Sequence, residues 1–287
     1  MAVPFLNSEE YDERAHQLYN EGDYDGALDT LKEGLRLYPS SVELYVGLGY
    51  TRLAREEFVW AKQAFEKALI LDPEHEDALV GLGEALLRFG RQPQALESFA
   101  RARRQGADDD IDLLLTMGRA LYRERLYGEA REVFADAVAL HPDSAEALAA
   151  LGFVLHRLGD ATAARRELRR SLRLDPEYHE ARVYLGHLLY DRGDWKGALQ
   201  EFERVPPTDH WDPVAVCRIV ELRRALHGTE SGDAEVVTWE SRLEELELAP
   251  DPVDELLAEL ESGALEPSQR ELLDRPPGRE PPRPSEG

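Results

Sequence analysis

The residues of this chain that could do chemistry are its eight histidines, its single cysteine and its many carboxylates. No two histidines stand four residues apart with an acid in register, the arrangement by which one helix face presents ligands to zinc. The chain has 58 Asp and Glu residues, so close carboxylate pairs occur through composition alone and identify no acid–base site. The sequence therefore predicts neither a metal site nor a catalytic pair.

The remaining chemical candidates also have simpler interpretations. Cys217 is the sole cysteine, so the chain can form no internal disulfide and no thiolate metal cluster. We expect Cys217 to be a small buried apolar residue rather than a nucleophile. The Gly-Leu-Gly runs at 47–49 and 81–83 lie inside predicted helices, where glycine allows close packing, so neither is a phosphate-binding loop. We therefore predict a protein without enzymatic activity and without a cofactor.

The charge of the chain limits the classes of partner. Its formal net charge is −24, which repels phosphate backbones and anionic lipid, so we expect no nucleic-acid and no membrane partner. The N-terminal run MAVPFLNSEE lacks the basic and apolar regions of a secretory signal, and no apolar run approaches the roughly 18 residues of a membrane helix. A cytoplasmic location is expected, and the oligomeric state stays open.

A repeated stretch of sequence positions the residues that could contact a partner. The stretch Val42–His75 recurs with small residues at its eighth and twentieth positions and a large apolar residue at its twenty-fourth. Small residues let two helices approach closely, and the large residue fills the space between helix pairs. A proline near the end of four copies disfavours helix at the residue before it. Six copies are predicted, at residues 8–41, 42–75, 76–110, 111–144, 145–178 and 179–212.

Helix boundaries are also encoded locally. Asn7 and Glu10 have the spacing of a capping box, which predicts a helix beginning near Ser8. Glycines that can take left-handed dihedrals mark the turn inside four copies, and an acidic residue that suits a helix N-terminus follows in most of them. These glycines are Gly22, Gly90, Gly159 and Gly193.

The segments outside the repeats differ in composition. Residues 1–7 form a short lead, and residues 213–227 are predicted to form a capping helix over the last repeat. Residues 228–287 carry 17 acids and five arginines, a net of −12. Within them, residues 228–275 have apolar residues at helical spacing, and residues 276–287 are proline-rich and expected to be disordered. The helical patterns are Val236, Trp239, Leu243 and Leu246, and Val253, Leu256, Leu257 and Leu260.

This repeat resembles the tetratricopeptide repeat, a helix–turn–helix unit of about 34 residues, and the resemblance covers residues 8–212. It implies an all-α fold: a right-handed solenoid of about six such repeats, a capping helix and an acidic, partly disordered C-terminal region. The sequence departs from the pattern in places. Ala107 replaces the proline of the third repeat, Arg182 occupies a usually apolar position of the sixth, and Pro206-Pro207 come early.

The resemblance also implies a function. In this family the first helices line a concave groove, and their second, fifth, ninth, twelfth and thirteenth positions face it. Here several of these positions carry apolar residues, rings and arginines, of which rings and arginines commonly anchor interfaces. We predict a scaffold or adaptor that binds a protein or peptide partner of apolar and acidic character. The predicted groove residues are Val46, Tyr50, Val80, Arg88, Leu115, Arg119, Tyr122, Arg123, Phe153, His156, Arg157, Val183, His187 and Tyr190.

Other interpretations of the same residues remain open. The rings could instead pack between adjacent first helices, with the arginines neutralising nearby acids. The acid at the second position of every repeat is explained by the helix dipole alone. The lysine and asparagine clamp with which some family members hold a C-terminal carboxylate is absent, since Asp12, Gly47, Tyr50 and Gly81 stand at clamp positions.

Two alternative functions were compatible with the sequence. In the first, the acidic segment at residues 251–262 lies in the groove against Arg88, Arg119, Arg123 and Arg157, which makes the adaptor self-regulated. In the second, the chain is a regulatory subunit of an enzyme complex.

Overall fold

The computed structural model describes residues 6–227 and 234–247, and every regular element in these two ranges is helical. The predicted all-α fold class is confirmed. The acidic segment at residues 251–262 and the proline-rich tail lie outside the described residues. The chain divides into an N-terminal body that ends at Arg204 and a C-terminal body that begins at Val205.

The N-terminal body consists of helices joined in pairs by short turns. Its first pairs begin at Ser8, Val42 and Glu76, and its later pairs begin at Ile111, Ala145 and His179. The helices are α1 (Ser8–Asn20), α2 (Tyr24–Leu37), α3 (Val42–Ala54), α4 (Phe58–Leu71), α5 (Glu76–Arg88), α6 (Gln92–Gln105), α7 (Ile111–Arg123), α8 (Tyr127–Leu140), α9 (Ala145–Arg157), α10 (Ala161–Leu174), α11 (His179–Asp191) and α12 (Trp195–Phe202).

The pairs stack into two layers. Each first helix packs against its own second helix, and consecutive first helices, such as α1, α3 and α5, also contact one another. Consecutive second helices, such as α2 and α4, pack less closely against one another than consecutive first helices do. The first helices therefore stand closer together, which makes their layer the inner, concave side of the stack. Its side chains from neighbouring pairs lie next to each other.

Close contact between a glycine and a ring sets the spacing within four of the six pairs, and in the fifth pair Gly152 meets the buried Leu168 instead. A Cβ atom added to Gly49 would lie 2.5 Å from the ring of Phe65, and one added to Gly186 would lie 2.5 Å from the ring of Phe202. Both phenylalanines are fully buried. The same ring of Phe65 also faces Gly81 of the next pair, so one side chain fixes both the packing within a pair and the packing between pairs.

The turn inside each pair places one residue in the left-handed region. Glycine fills this position in four pairs, for example Gly22 with φ of 81°. Glu56 and Arg125 fill it in the second and fourth pairs, with φ of 58° and 62°. Side chains are uncommon in this region because Cβ crowds the backbone, so these two turns carry strain that the others avoid.

Helix α1 begins as its local sequence predicts. The side chain of Asn7 accepts a hydrogen bond from the amide of Glu10, and the Glu10 carboxylate accepts one from the amide of Asn7 at 2.7 Å. This reciprocal capping box satisfies two amides that would otherwise lack partners.

Two departures from the repeat pattern are absorbed locally. The extra residue of the third repeat forms a short 3-10 helix, Ala107–Asp109, which contacts both α6 and α7. Arg182 is buried at a position that is usually apolar. Its guanidinium forms an ion pair with Glu201 at 3.1 Å. Pairing and hydrogen bonding offset the cost of removing that charge from water.

The C-terminal body contains α13 (Pro213–His227) and α14 (Ala234–Glu247), which pack against each other. The helical pattern predicted around Trp239 lies within α14, where Val236 and Trp239 are buried. The prediction for Cys217 is wrong, because its side chain is exposed. The apolar side of α13 runs through Val216, Ile219 and Val220, and Cys217 points away from it.

None of the described helices combines the length and the apolar character that crossing a bilayer requires.

The glycine–ring contact can be tested by adding one methyl group. We expect Gly49→Ala to lower the free energy of unfolding by about 1–3 kcal/mol, because the new Cβ overlaps the buried ring of Phe65. Gly128→Ala is the matched control, since an added Cβ there meets no atom within 4 Å. It should stabilise the protein by about 0.5–1 kcal/mol through helix propensity. Urea unfolding followed by circular dichroism measures both changes, and equal effects at the two sites would contradict the proposed spacing role.

Candidate partner-binding face

Four of the predicted groove residues are part of the core. Val46, Val80, Leu115 and Val183 are at most 9% exposed and lie between neighbouring helices. The close approach of the first helices explains this burial, because the fifth position of each repeat faces the adjacent pair. These side chains support the inner layer and leave little surface for a partner to contact.

A group of rings lies partly exposed on α7, α9 and α11 and at the start of α8. Phe153 stacks on Tyr184 with ring centroids 3.8 Å apart, and the hydroxyls of Tyr184 and Tyr122 lie 3.3 Å from each other. Tyr122 also meets Tyr127 at 5.3 Å. Two of the four rings, Tyr122 and Phe153, were predicted from the sequence. Burial raises the pKa of Tyr122 above its ordinary value, and the hydrogen bond with Tyr184 adds to the rise.

Tyr184 and Tyr127 were not predicted because they stand outside the inner positions of the repeat. Tyr184 is the sixth residue of its repeat, and Tyr127 is at the start of a second helix. A ring recurs at the start of the second helix, as Tyr24, Phe58, Tyr127 and Trp195, and this could have indicated Tyr127, whereas no other repeat has a ring at the position of Tyr184. We define the four residues as the aromatic cluster: Tyr122, Tyr127, Phe153 and Tyr184.

Arg157 is exposed beside this aromatic cluster. Its guanidinium carbon lies 5.4 Å from the ring centroid of Tyr127, and its Nε donates to the Tyr127 hydroxyl at 3.3 Å. The hydrogen bond to Tyr127 raises the pKa of Arg157 above its ordinary value. No carboxylate of the described residues lies within ion-pair distance of this guanidinium. Arg157 therefore presents a positive charge that is still available to a partner.

The other three predicted arginines are neutralised by neighbouring acids. Arg88 lies 3.3 Å from Glu124, Arg119 pairs with Glu146, and Arg123 donates to Glu84 at 2.8 Å. Arg88 also stacks over the ring of Phe58 at 4.6 Å. For these three residues, the structure agrees with the alternative interpretation that the arginines balance nearby acids. A partner would have to replace an existing ion pair.

The remaining predicted residues are half-buried and already have neighbours. His156 lies 3.8 Å from Asp191, and burial lowers its pKa below the ordinary value. His187 meets the ring of Phe202 edge-on at 5.1 Å, and Tyr190 lies near the end of α11. Tyr50 donates its hydroxyl to the carbonyl of Asp77 at 3.1 Å. Burial raises the pKa of Tyr50 well above its ordinary value.

A cavity of about 530 Å³ opens between α1, α3 and α5. We call it the N-terminal cavity, and among its lining residues only Val46 and Tyr50 belong to the predicted groove. Neither lysine nor arginine occurs in the lining that the structure describes. The lining residues are Asp12, Ala15, His16, Tyr19, Leu31, Glu43, Val46, Gly47, Tyr50, Thr51, His75 and Asp77.

Two carboxylates of this cavity are partly withdrawn from water, and neither pairs with a lysine or arginine of the described residues. Burial raises the pKa of Asp12, with His16 acting in the opposite direction and Glu43 adding to the rise. Burial likewise raises the pKa of Asp77, against the effect of His75. The second-position acids had been explained by the helix dipole. In the structure, Asp77 and Glu43 also converge with Asp12 on one cavity, which their positions in the repeat did not predict.

The described residues offer no other obvious chemical site. No group of three or more His, Cys, Asp and Glu side chains in the ranges 6–227 and 234–247 is arranged to hold a metal ion.

The helix pairs of the N-terminal body match known protein families. Three family models, each described as a tetratricopeptide repeat, match residues 8–51, residues 115–176, and residues 52–120 together with 155–215. Together the matches run from residue 8 to residue 215 and cover all twelve helices of the N-terminal body.

Two relatives match part of the chain. The protein CTR9 homolog of Arabidopsis thaliana is 32% identical over 110 residues, which are 38% of this chain and 10% of that protein. Anaphase-promoting complex subunit 3 of Schizosaccharomyces pombe is 28% identical over 112 residues, which are 39% of this chain and 17% of that protein. The chain thus spans only a small part of the length of either relative.

The fold is also similar to that of solved structures. PilF of Pseudomonas aeruginosa superimposes with a TM-score of 0.59 at 22% identity, covering 76% of this chain and 97% of that one. At this identity the likeness shows a shared fold.

The two withdrawn carboxylates predict a dependence of stability on pH. Their folded-state pKa values lie above the ordinary 3.8, so ionisation costs stability above the folded-state pKa and costs nothing below 3.8. We expect Asp12→Asn with Asp77→Asn to raise the Tm by about 1–3 °C at pH 7 and to leave it unchanged near pH 3. The exposed Asp143→Asn is the control. A gain that is the same at both pH values would contradict this electrostatic origin.

Proposed function

The chain belongs to the tetratricopeptide repeat family, and on this basis we propose that it is a non-enzymatic scaffold or adaptor that binds a peptide segment along its inner face. Family membership and the relatives support a role in protein–protein interaction. One relative is by name a subunit of the anaphase-promoting complex. From these relatives we infer only that this chain assembles with other proteins. We propose that it does so in the cytoplasm, the location expected from the sequence.

The observation that carries the proposal is the aromatic cluster with Arg157 at its edge. Stacked rings such as Phe153 and Tyr184 form a rigid, partly apolar surface at low cost in side-chain entropy. The hydroxyls of Tyr122 and Tyr184 add polar groups that can orient a backbone. Tyrosine and arginine are also the residue types that most often dominate the binding energy of interfaces.

The acidic character proposed for the partner depends on Arg157. Arg88, Arg119 and Arg123 already have carboxylate neighbours, so a partner's acid gains little there unless it displaces one of them. Arg157 has a tyrosine hydroxyl as its neighbour and can accept a carboxylate without breaking an ion pair. We therefore propose that an apolar side chain of the partner lies on the aromatic cluster and an acidic side chain lies at Arg157.

The self-regulated adaptor is less well supported. The segment at residues 251–262 lies outside the described residues, and three of the four arginines it was expected to meet have neighbouring acids of their own. No specific contact favours a regulatory subunit of an enzyme complex over other adaptors.

Binding at the aromatic cluster can be measured with defined peptides. We would select peptides from a random dodecapeptide library against the full chain and measure their affinities by fluorescence anisotropy. Tyr184→Ala and Arg157→Glu should each weaken binding at least tenfold, about 1.4 kcal/mol, because they remove an aromatic contact and reverse a charge. For peptides with an acidic residue, changing that residue to its amide should remove the effect of Arg157→Glu.

The control for these variants is Arg169→Glu, which reverses an exposed charge on the second helix α10. Circular dichroism should show the same helix content for all variants. Peptides that bind the two cluster variants and the control with equal affinity would contradict a binding role for this part of the inner face.

A further inference from the structure

The N-terminal cavity differs in charge balance from the rest of the inner face. Over the third to fifth pairs, acids such as Glu84, Glu124 and Glu146 each lie against an arginine. In the N-terminal cavity, Asp12, Glu43 and Asp77 come from three successive helix pairs and have no such neighbour among the described residues. The acids therefore leave negative charge uncompensated at one end of the face.

The existing contacts of these three carboxylates are weak or lacking. Glu43 accepts a hydrogen bond from the Ser41 hydroxyl at 3.0 Å, on its own helix terminus. Asp77 has His75 as its nearest basic group, with Nδ1 at 4.0 Å, beyond hydrogen-bond distance. That Nδ1 atom is itself buried without a hydrogen-bond partner in the described structure. Asp12 forms no hydrogen bond or ion pair with any side chain that the structure describes.

The walls of the cavity add rings to these charges. Tyr50 is held by the hydrogen bond that its hydroxyl donates to the backbone carbonyl of Asp77 and by edge-on packing with Phe65 at 5.1 Å. Tyr19 is positioned by an edge-on contact with Tyr24 at 5.3 Å. A cation that lies against such rings is attracted by their electron-rich faces, in addition to the carboxylates.

A glycine keeps the cavity open. A Cβ atom added to Gly47 would lie 3.1 Å from Leu31 and 3.4 Å from the carboxylate oxygen Oδ1 of Asp12. A side chain at this position would therefore occupy the space beside Asp12. The resulting volume, about 530 Å³, falls in the range of about 300–1,000 Å³ that is usual for ligand sites.

We propose that the N-terminal cavity receives a lysine or arginine side chain of the segment bound along the inner face. The proposal rests on the proposed function and deepens it, because it assigns the partner a basic residue at this end of the face. The reason is charge complementarity: the cavity gathers three carboxylates and two tyrosines with no lysine or arginine in its described lining. The stem of a long basic side chain would lie on Tyr50 and its charged end among the carboxylates.

The raised pKa values of Asp12 and Asp77 are consistent with this arrangement, because attraction to a nearby cation would replace the stabilisation by water that burial removes. The burial of these two ionised carboxylates therefore costs the free protein stability, and a positive charge in the cavity would reduce that cost.

The experiment uses a charged probe and its neutral isostere. Nα-acetyl-arginine amide and Nα-acetyl-citrulline amide are titrated into the ¹⁵N-labelled full chain at low ionic strength, and backbone amide shifts are recorded. The arginine compound should shift the signals of Gly47, Thr51 and Asp77 with a Kd at least fivefold lower than that of the citrulline compound. Asp12→Asn with Asp77→Asn should remove this difference, and Asp143→Asn should preserve it.

Three outcomes would overturn the proposal: equal shifts with both compounds, no shift at these three signals, or a preference for arginine that survives the double variant. The amide substitutions keep the size of each side chain, and the Tm of each variant shows whether the fold is intact.

The same double variant separates this proposal from the proposed function. Peptides selected on the full chain should lose at least tenfold in affinity when their basic residue is changed to norleucine. For the double variant Asp12→Asn with Asp77→Asn, the same change in the peptide should leave the affinity unaltered. Peptides that depend on Tyr184 and Arg157 but not on a basic residue would leave the proposed function intact and overturn the basic contact. If the arginine compound shifts the Gly47 signal but peptide affinity does not depend on Tyr184, the result would support a basic-residue site in the N-terminal cavity. It would contradict peptide binding at the aromatic cluster.

Discussion

The contact between a buried ring and a glycine on the facing helix is the constraint on which the N-terminal body depends. Phe65 touches Gly49 of its own pair and Gly81 of the next, and Phe202 meets Gly186 in the same way. This contact brings the two helices of a pair together and sets the step to the following pair. Because first helices then lie side by side, residues about 34 positions apart in the chain share one surface. The partner-binding properties of the protein arise from this surface rather than from any single repeat.

The helices and their order could be predicted from the sequence because their signals are local. A capping box at Asn7, turn glycines such as Gly22 and a regular pattern of small and large residues act within one repeat. The burial of Val80 and Leu115 was not predicted, because it results from the neighbouring pair and not from the repeat itself. The fold was therefore more predictable than the candidate site.

The charges of the inner face were the least predictable feature. Arg123 meets Glu84, which precedes it by 39 residues, and Arg119 meets Glu146, which follows it by 27. Such pairs depend on side-chain directions across two helices, which composition and periodicity do not determine. The arginines that looked alike in sequence thus differ in the structure, since Arg157 rests on a tyrosine and the others on carboxylates. The prediction for Cys217 failed for a similar reason, because the apolar side of its helix lies one residue away.

The direct contact between consecutive first helices also sets a length scale. Packed helices have axes about 8–10 Å apart, so four steps separate the first pair from the fifth by about 32–40 Å. An extended chain advances about 3.3 Å per residue. One segment that reached both Asp12 and Arg157 would therefore need about ten to twelve residues, with its basic and acidic residues near opposite ends. A shorter motif could contact only one of these two residues. The spacing of the repeats therefore sets the minimum length of a ligand that is held at both ends.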